Sequence, residues 1–225
     1  MSISEIPKPN LARDLLLIHR IISRAIEVTR QKGREFLATG FPDEVIRQGY
    51  HDYVRCLVGV LGVHHLTEDE VVFPQVGVRI PSAPCKLLSA DHDRIAGLLD
   101  DLDKSLYLFD GDGSKQAIGS ILNGLERLRN IWYPHIGLEE SHFTEKNMDE
   151  VMSTEEQQTF SQETSRYSQE RLSPTYLVVP FLLFNLSPAE RRVFSANMPP
   201  VVTQELVPQV WKEKWLPMQS FLLVE

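Results

Sequence analysis

The sequence predicts an all-α protein: a four-helix bundle over residues 1–150, with a helical, proline-rich extension over residues 151–225 packed on it. Three observations predict it. Apolar residues recur near a 3.6-residue period through four long segments. Each of those segments carries a histidine beside its apolar stripe. Half of the 14 prolines lie between Pro174 and Pro217, so the last part reads as short helices broken by turns.

The first segment runs from about Asn10 to Ala38, with Asn10 as its N-cap. Leu11, Leu15, Ile18, Ile22, Ile26 and Phe36 share a face, and His19 borders it. Gly40-Phe41-Pro42-Asp43 makes a turn, and Asp43 caps the second helix. That helix carries Val45, Ile46, Tyr50, Tyr53, Val54, Leu57, Val58 and Leu61 into the stretch His64-His65-Leu66-Thr67-Glu68-Asp69-Glu70-Val71-Val72-Phe73-Pro74. Pro74 is expected to end it, and Pro81 and Pro84 to frame the next loop.

The third helix spans about Cys85 to Leu108, and His92 lies three residues before Ile95 on its apolar side. Asp110-Gly111-Asp112-Gly113-Ser114 is only superficially a calcium loop. Leu108 and Gly119 stand where that pattern needs acids, so it reads as a turn. The fourth helix starts near Ser114 and carries Ile118, Ile121, Leu122, Leu125, Leu128 and Ile131. Pro134 either kinks it or starts a new helix, and His135 and Glu139 follow.

Residues four apart stack on one helical face, so His64 and Glu68 point at one spot, and His135 and Glu139 repeat the spacing. With His19 and His92 they make six ligand-type groups turned toward one core. Each would cost about 1–3 kcal/mol if buried unpaired. A metal ion relieves that cost by serving as their common partner. Imidazole with carboxylate suits iron, manganese or zinc, whereas carboxylates alone suit calcium or magnesium. An ordinary helix favours Glu139 over its neighbour, but Glu140 stays open as the alternate. His65 points about 100° away from His64 and falls outside the set. Asp69 and Glu70 read as acceptors behind the ligands or as solvated charge, His51 as structural, and His142 as a cap or surface group.

These motifs resemble the hemerythrin-like, or HHE cation-binding, domains. The family pattern is a helix-1 His, an HxxxE on helix 2 with an acidic run and Phe-Pro, a helix-3 His, and an HxxxE/D on helix 4. Here it reads His19, then His64 and Glu68 inside HHLTEDEVVFP, then His92 inside DHDRI, then His135 and Glu139 inside HIGLEE. The resemblance covers about residues 10–150. It implies an up-down bundle holding two non-haem irons, with one iron or manganese as the alternative. Glu68, and Glu139 or Glu140, would bridge them together with an oxo or hydroxo group. Dioxygen, another small diatomic or a peroxide is then the expected partner, with a small organic substrate where the chemistry is redox.

Two departures stand out. Oxygen-carrying hemerythrins have a second helix-3 histidine where this chain has Ala96, and their helix-4 acid falls at the place of Glu140. With one histidine fewer, the site resembles the iron-sensing F-box and plant E3-ligase members more than the carriers. An open coordination position favours reactivity over simple storage of dioxygen. Two function classes remain. One is a non-haem di-iron oxidoreductase, toward which the sequence leans. The other is a non-catalytic module for iron, dioxygen or nitric oxide binding, sensing or iron storage.

Composition narrows the rest. With a net charge of −8 and no basic cluster, phosphate-driven binding to nucleic acid or anionic lipid is not expected. The most apolar run, Leu177 to Leu186, is about half of the roughly 20 residues that span a bilayer. The first residues lack a signal-peptide pattern, and Cys56 and Cys85 read as reduced thiols, so a cytoplasmic protein is expected. In the extension, Ser153 with Glu156 and Ser187 with Glu190 form capping-box signatures. Its bulky residues, among them Phe181, Trp215 and Phe221, are expected to pack along the bundle and cap it. Walling off a pocket beside the metal is the functional alternative.

Overall fold

The computed structural model describes residues 10–109, 114–196 and 198–224. Helix α1 (Leu11–Thr39) starts where the Asn10 side chain accepts a hydrogen bond from the Arg13 N–H at 3.2 Å. It stops at Gly40, whose φ of 78° lies in the left-handed region and whose N–H reaches the Phe36 carbonyl at 2.8 Å. Helix α2 (Glu44–Thr67) opens on Asp43, which accepts from the Ile46 N–H at 2.8 Å.

Pro74 does not end this helix. The chain passes through a π-helical turn, Glu68–Val72, and continues as α3 (Phe73–Arg79). The Phe73 N–H reaches back to the Glu68 carbonyl, one residue further than in an α-helix. Pro74 follows this turn as the second residue of α3, so the shift in register comes just before a residue that has no N–H to donate. Residues 80–84 make the connection to α4 (Cys85–Leu106), which stops two residues short of the expected Leu108. The Asp110–Gly113 turn lies outside the described residues. Helix α5 (Ser114–His142) runs unbroken through Pro134, so His135 and Glu139 share one continuous helix.

Packing follows the amphipathic stripes. α1 packs on α2, α2 on α4, α4 on α5, and α5 back on α1. Chain neighbours joined by short connections are therefore spatial neighbours, and the four long helices close into an up-down bundle. Ile22, Ile26, Tyr53, Leu57, Leu61, Ile95, Ile121 and Leu125 are fully buried at its centre. None of the described helices is long and apolar enough to cross a membrane. Cys56 is buried and Cys85 half-buried, both as free thiols.

After α5 the chain forms α6 (Glu145–Val151), at the expected boundary, and the extension then forms α7 (Thr154–Gln169), α8 (Thr175–Phe184), α9 (Pro188–Ser195), a π-helical segment Val202–Val210, α10 (Lys212–Trp215) and a 3₁₀ segment Leu216–Phe221. Both capping boxes form, at Ser153 with Glu156 and at Ser187 with Glu190. α6 and α7 pack on the first helix, and α7 also on the second. Around them Ala12, Phe73, Val76, Leu88, Phe143, Met148 and Phe160 form a small apolar cluster of their own. The last segments turn back along α2 to the opposite end of the bundle. There Gly49 lies so close to Pro217 that a Cβ would sit 1.9 Å from the Pro217 carbonyl oxygen. Phe221 meets the rings of Phe36 and Tyr50 edge-on. Tyr53 donates to Asn185 Oδ1 at 2.6 Å, and Arg24 donates to the Phe221 carbonyl at 2.9 Å.

Candidate metal centre

His19 lies early in α1 and His92 early in α4, while His64 lies near the end of α2 and His135 and Glu139 near the end of α5. Antiparallel neighbours bring those positions to one level, near one end of the bundle. Glu68 begins the π turn at the same level. None of the six residues is more than 8% exposed.

Their donor atoms converge. His64 Nε2 lies 3.2 Å from Glu68 Oε1, and His92 Nε2 lies 3.4 Å from Glu68 Oε2. His19 Nε2 lies 3.3 Å and His135 Nε2 3.7 Å from Glu139 Oε2. His92 Nε2 and His135 Nε2 are 3.3 Å apart. The histidine–glutamate pairs resemble hydrogen bonds in distance but not in alignment, whereas the His92–His135 pair has both. His19 Nε2, His64 Nε2 and all four oxygens of Glu68 and Glu139 find no hydrogen-bond partner among the described residues. Buried and unpartnered, each would cost about 1–3 kcal/mol.

A shared cation accounts for that pattern. Ligand atoms about 2.0–2.2 Å from one ion, at ordinary coordination angles, stand roughly 3–3.5 Å from each other. The donor atoms fall into two groups, His19, His64, Glu68 and Glu139, and His65, Glu68, His92 and His135. Within each group the atoms lie within 4.8 Å of one another, and Glu68 belongs to both. This set of imidazoles and carboxylates fits iron, manganese or zinc.

Acceptors behind the histidines set their orientation. Glu140 Oε1 lies 2.8 Å from His19 Nδ1, and Asp69 Oδ2 lies 2.9 Å from His92 Nδ1. A proton held on each Nδ1 leaves the Nε2 lone pair facing inward. The adjacent glutamates thus divide: Glu139 is fully buried among the donor atoms, and Glu140 stands behind His19. The Ser89 hydroxyl in turn donates to Asp69. Trp132 closes the core side, its ring 5.4 Å from that of His19 and its Nε1 donating to Ser23 Oγ at 2.9 Å.

The electrostatics favour the ligand-ready form of three imidazoles and oppose it at Glu68 and His19. Burial, and then the neighbouring histidines, hold His64 and His65 well below the ordinary histidine pKa, and burial brings His135 down to about 4. These rings are therefore neutral near pH 7, as ligation requires. Burial and then the facing Glu139 carboxylate push Glu68 well up. Burial opposes charge on His19 and Glu139 as well, but Glu139 and Glu140 together raise His19, and His19 with His135 and Glu68 lowers Glu139.

His65 lies outside the six expected residues, yet the fold brings it to the cluster. It is 4% exposed, and neither ring nitrogen has a hydrogen-bond partner among the described residues. The 100° between His64 and His65 does not carry either one to solvent. It turns His64 toward His19 and His65 toward His92 and His135. His51 sits at the opposite end against Phe109, and His142 Nδ1 donates locally to the Leu138 carbonyl, 2.9 Å away. Ala96 is exposed, so α4 turns only His92 into the cluster.

Helix α7 lies across this end. Tyr167 donates to Glu70, Thr67 Oγ1 and Ser168 Oγ are 3.0 Å apart, and Ser161 donates to Asp14 at 2.8 Å. Comparison with known proteins gives one family match. Residues 10–146 match the model of the hemerythrin HHE cation binding domain. Neither the curated proteins nor the solved structures give a significant match to the chain.

Proposed function

The chain belongs to the hemerythrin HHE cation-binding family, and on that premise we propose that it is a non-haem iron protein, with two ions its expected complement, that uses dioxygen or a peroxide for redox chemistry on a small molecule. The observation that carries this reading is the set of buried, unpartnered imidazole and carboxylate atoms at one end of the bundle. His19, His64, Glu68, His92, His135 and Glu139 are the residues that would hold the metal. Iron, when bound, supplies electron-transfer chemistry and open positions for a small oxidant.

The chain's own residues do the rest. Asp69 and Glu140 hold protons on the outer nitrogens of His92 and His19 and so keep the inner lone pairs available. Trp132 and the apolar cluster beneath α6 and α7 keep bulk water away. That same burial narrows what can enter, and it supports reactants the size of dioxygen or peroxide. It also favours the second reading, a module that binds iron, dioxygen or nitric oxide without turnover.

Iron loading without oxygen, followed by admission of air, separates these readings. One ion per donor group, two per chain, with new absorption bands on aeration that decay with an added reductant, supports redox chemistry. Bands that stay unchanged with every reductant support the binding module. Failure to take up iron or any other divalent cation overturns both.

A further inference from the structure

We propose that His65 is a metal ligand, and that it completes a three-histidine donor set with His92 and His135 around the second ion. The inference rests on the metal-binding reading above. It starts from chemistry left over when the six expected ligands are set aside. A neutral imidazole has one N–H to donate and one lone pair to fill. His65 is 4% exposed, yet neither nitrogen is matched among the described residues. His92 differs, because Asp69 takes its outer nitrogen at 2.9 Å.

Placement supports the same conclusion. His65, Glu68, His92 and His135 bring one donor atom each within 4.8 Å of one another. Without His65 the second group has two nitrogens and the shared Glu68. Among the described residues no further donor joins that group, and Ala96, one turn after His92 on α4, is exposed. The two ions would then be unlike. One sits among two histidines and two carboxylates, the other among three histidines and a carboxylate that they share.

One rearrangement is required. The His65 and His92 rings are stacked, 4.0 Å apart and 11° from parallel. An ion bound in the plane of one ring does not lie in the plane of a parallel ring, so one of them turns on loading. His92 is held by Asp69 on its edge and by the parallel Phe73 ring at 5.5 Å. His65 has no such hold, and it is the ring that turns.

The test is cobalt(II) titration of the metal-free full chain, wild type against His65→Phe, with bound metal counted after dialysis and the cobalt spectrum recorded. Phenylalanine keeps the stack on His92 and removes both nitrogens. The expected result is two ions in the wild type and one in a folded His65→Phe, whose spectrum retains only the first-site bands. The metal-free variant should unfold at or above the wild-type temperature, because two unmatched polar atoms are gone. If His65→Phe does not fold, as judged by circular dichroism, His65→Ala takes its place with the same expectation. Two ions in the variant with unchanged affinity, one ion in the wild type, or loss of both ions from a folded variant each overturns the assignment. A wild type that binds no metal overturns the metal-binding reading itself, which keeps the two failures distinct.

Discussion

The two ends of the bundle are built from the same four helices and closed by the same extension, yet by opposite chemistry. At the far end, Phe36, Phe41, Tyr50, Phe109 and Phe221 pack ring against ring, and the one buried hydroxyl in the group is matched, Tyr50 donating to the Thr29 carbonyl at 3.0 Å. At the near end, imidazoles and carboxylates face one another with most inner atoms unmatched. The covers differ too. The far end is sealed by the 3₁₀ segment pressed on Gly49, the near end by α7 through side-chain hydrogen bonds. The far end thus holds the fold together, and the near end holds stability in reserve for a cation.

The largest effect should come from the far end. Phe221→Ala removes a side chain that is 2% exposed and leaves a cavity, which should cost about 3–5 kcal/mol in urea denaturation. Its metal content should match the wild type. A loss of metal in a folded Phe221→Ala would mean that the two ends are not independent.

Next come the residues that could hold the metal. Wild-type protein with free metal at a thousand times its dissociation constant should gain about 4 kcal/mol per bound ion over the chelated form. His64→Ala and His135→Ala should each forfeit most of one ion's share and keep the ion held by the other donor group. Chelation that leaves the wild-type unfolding curve in place would remove the reserve from the near end.

A smaller effect belongs to the residues behind the ligands. Asp69→Ala frees the outer nitrogen of His92 and should weaken metal affinity about 10–100-fold, measured by competition with a chelator. An unchanged affinity would show that the ring is held by its stack alone.

Most of the bundle was legible because burial writes a 3.6-residue period into α1, α2, α4 and α5, and caps such as Asn10 and Asp43 mark the starts. Four of the six expected residues at the near end were legible because His64 with Glu68 and His135 with Glu139 sit one turn apart, and His19 and His92 because each borders an apolar stripe. The π turn was not, since one extra residue in a helix has no signature of its own, and Pro74 reads as a stop until that turn shifts the register just before it. His65 was missed for a related reason. Angle from one neighbour suggests an outward side chain, but in a bundle two adjacent residues can each face a different helix. The division between Glu139 and Glu140 needed the actual position of His19 on α1.

The measurement that bears most directly on this account is iron per chain, by elemental analysis, in anaerobically loaded wild type and Glu68→Ala. Glu68 is the residue common to both donor groups. The account predicts stoichiometric iron in the wild type and essentially none in a folded Glu68→Ala. A folded Glu68→Ala that keeps the wild-type iron content would contradict it.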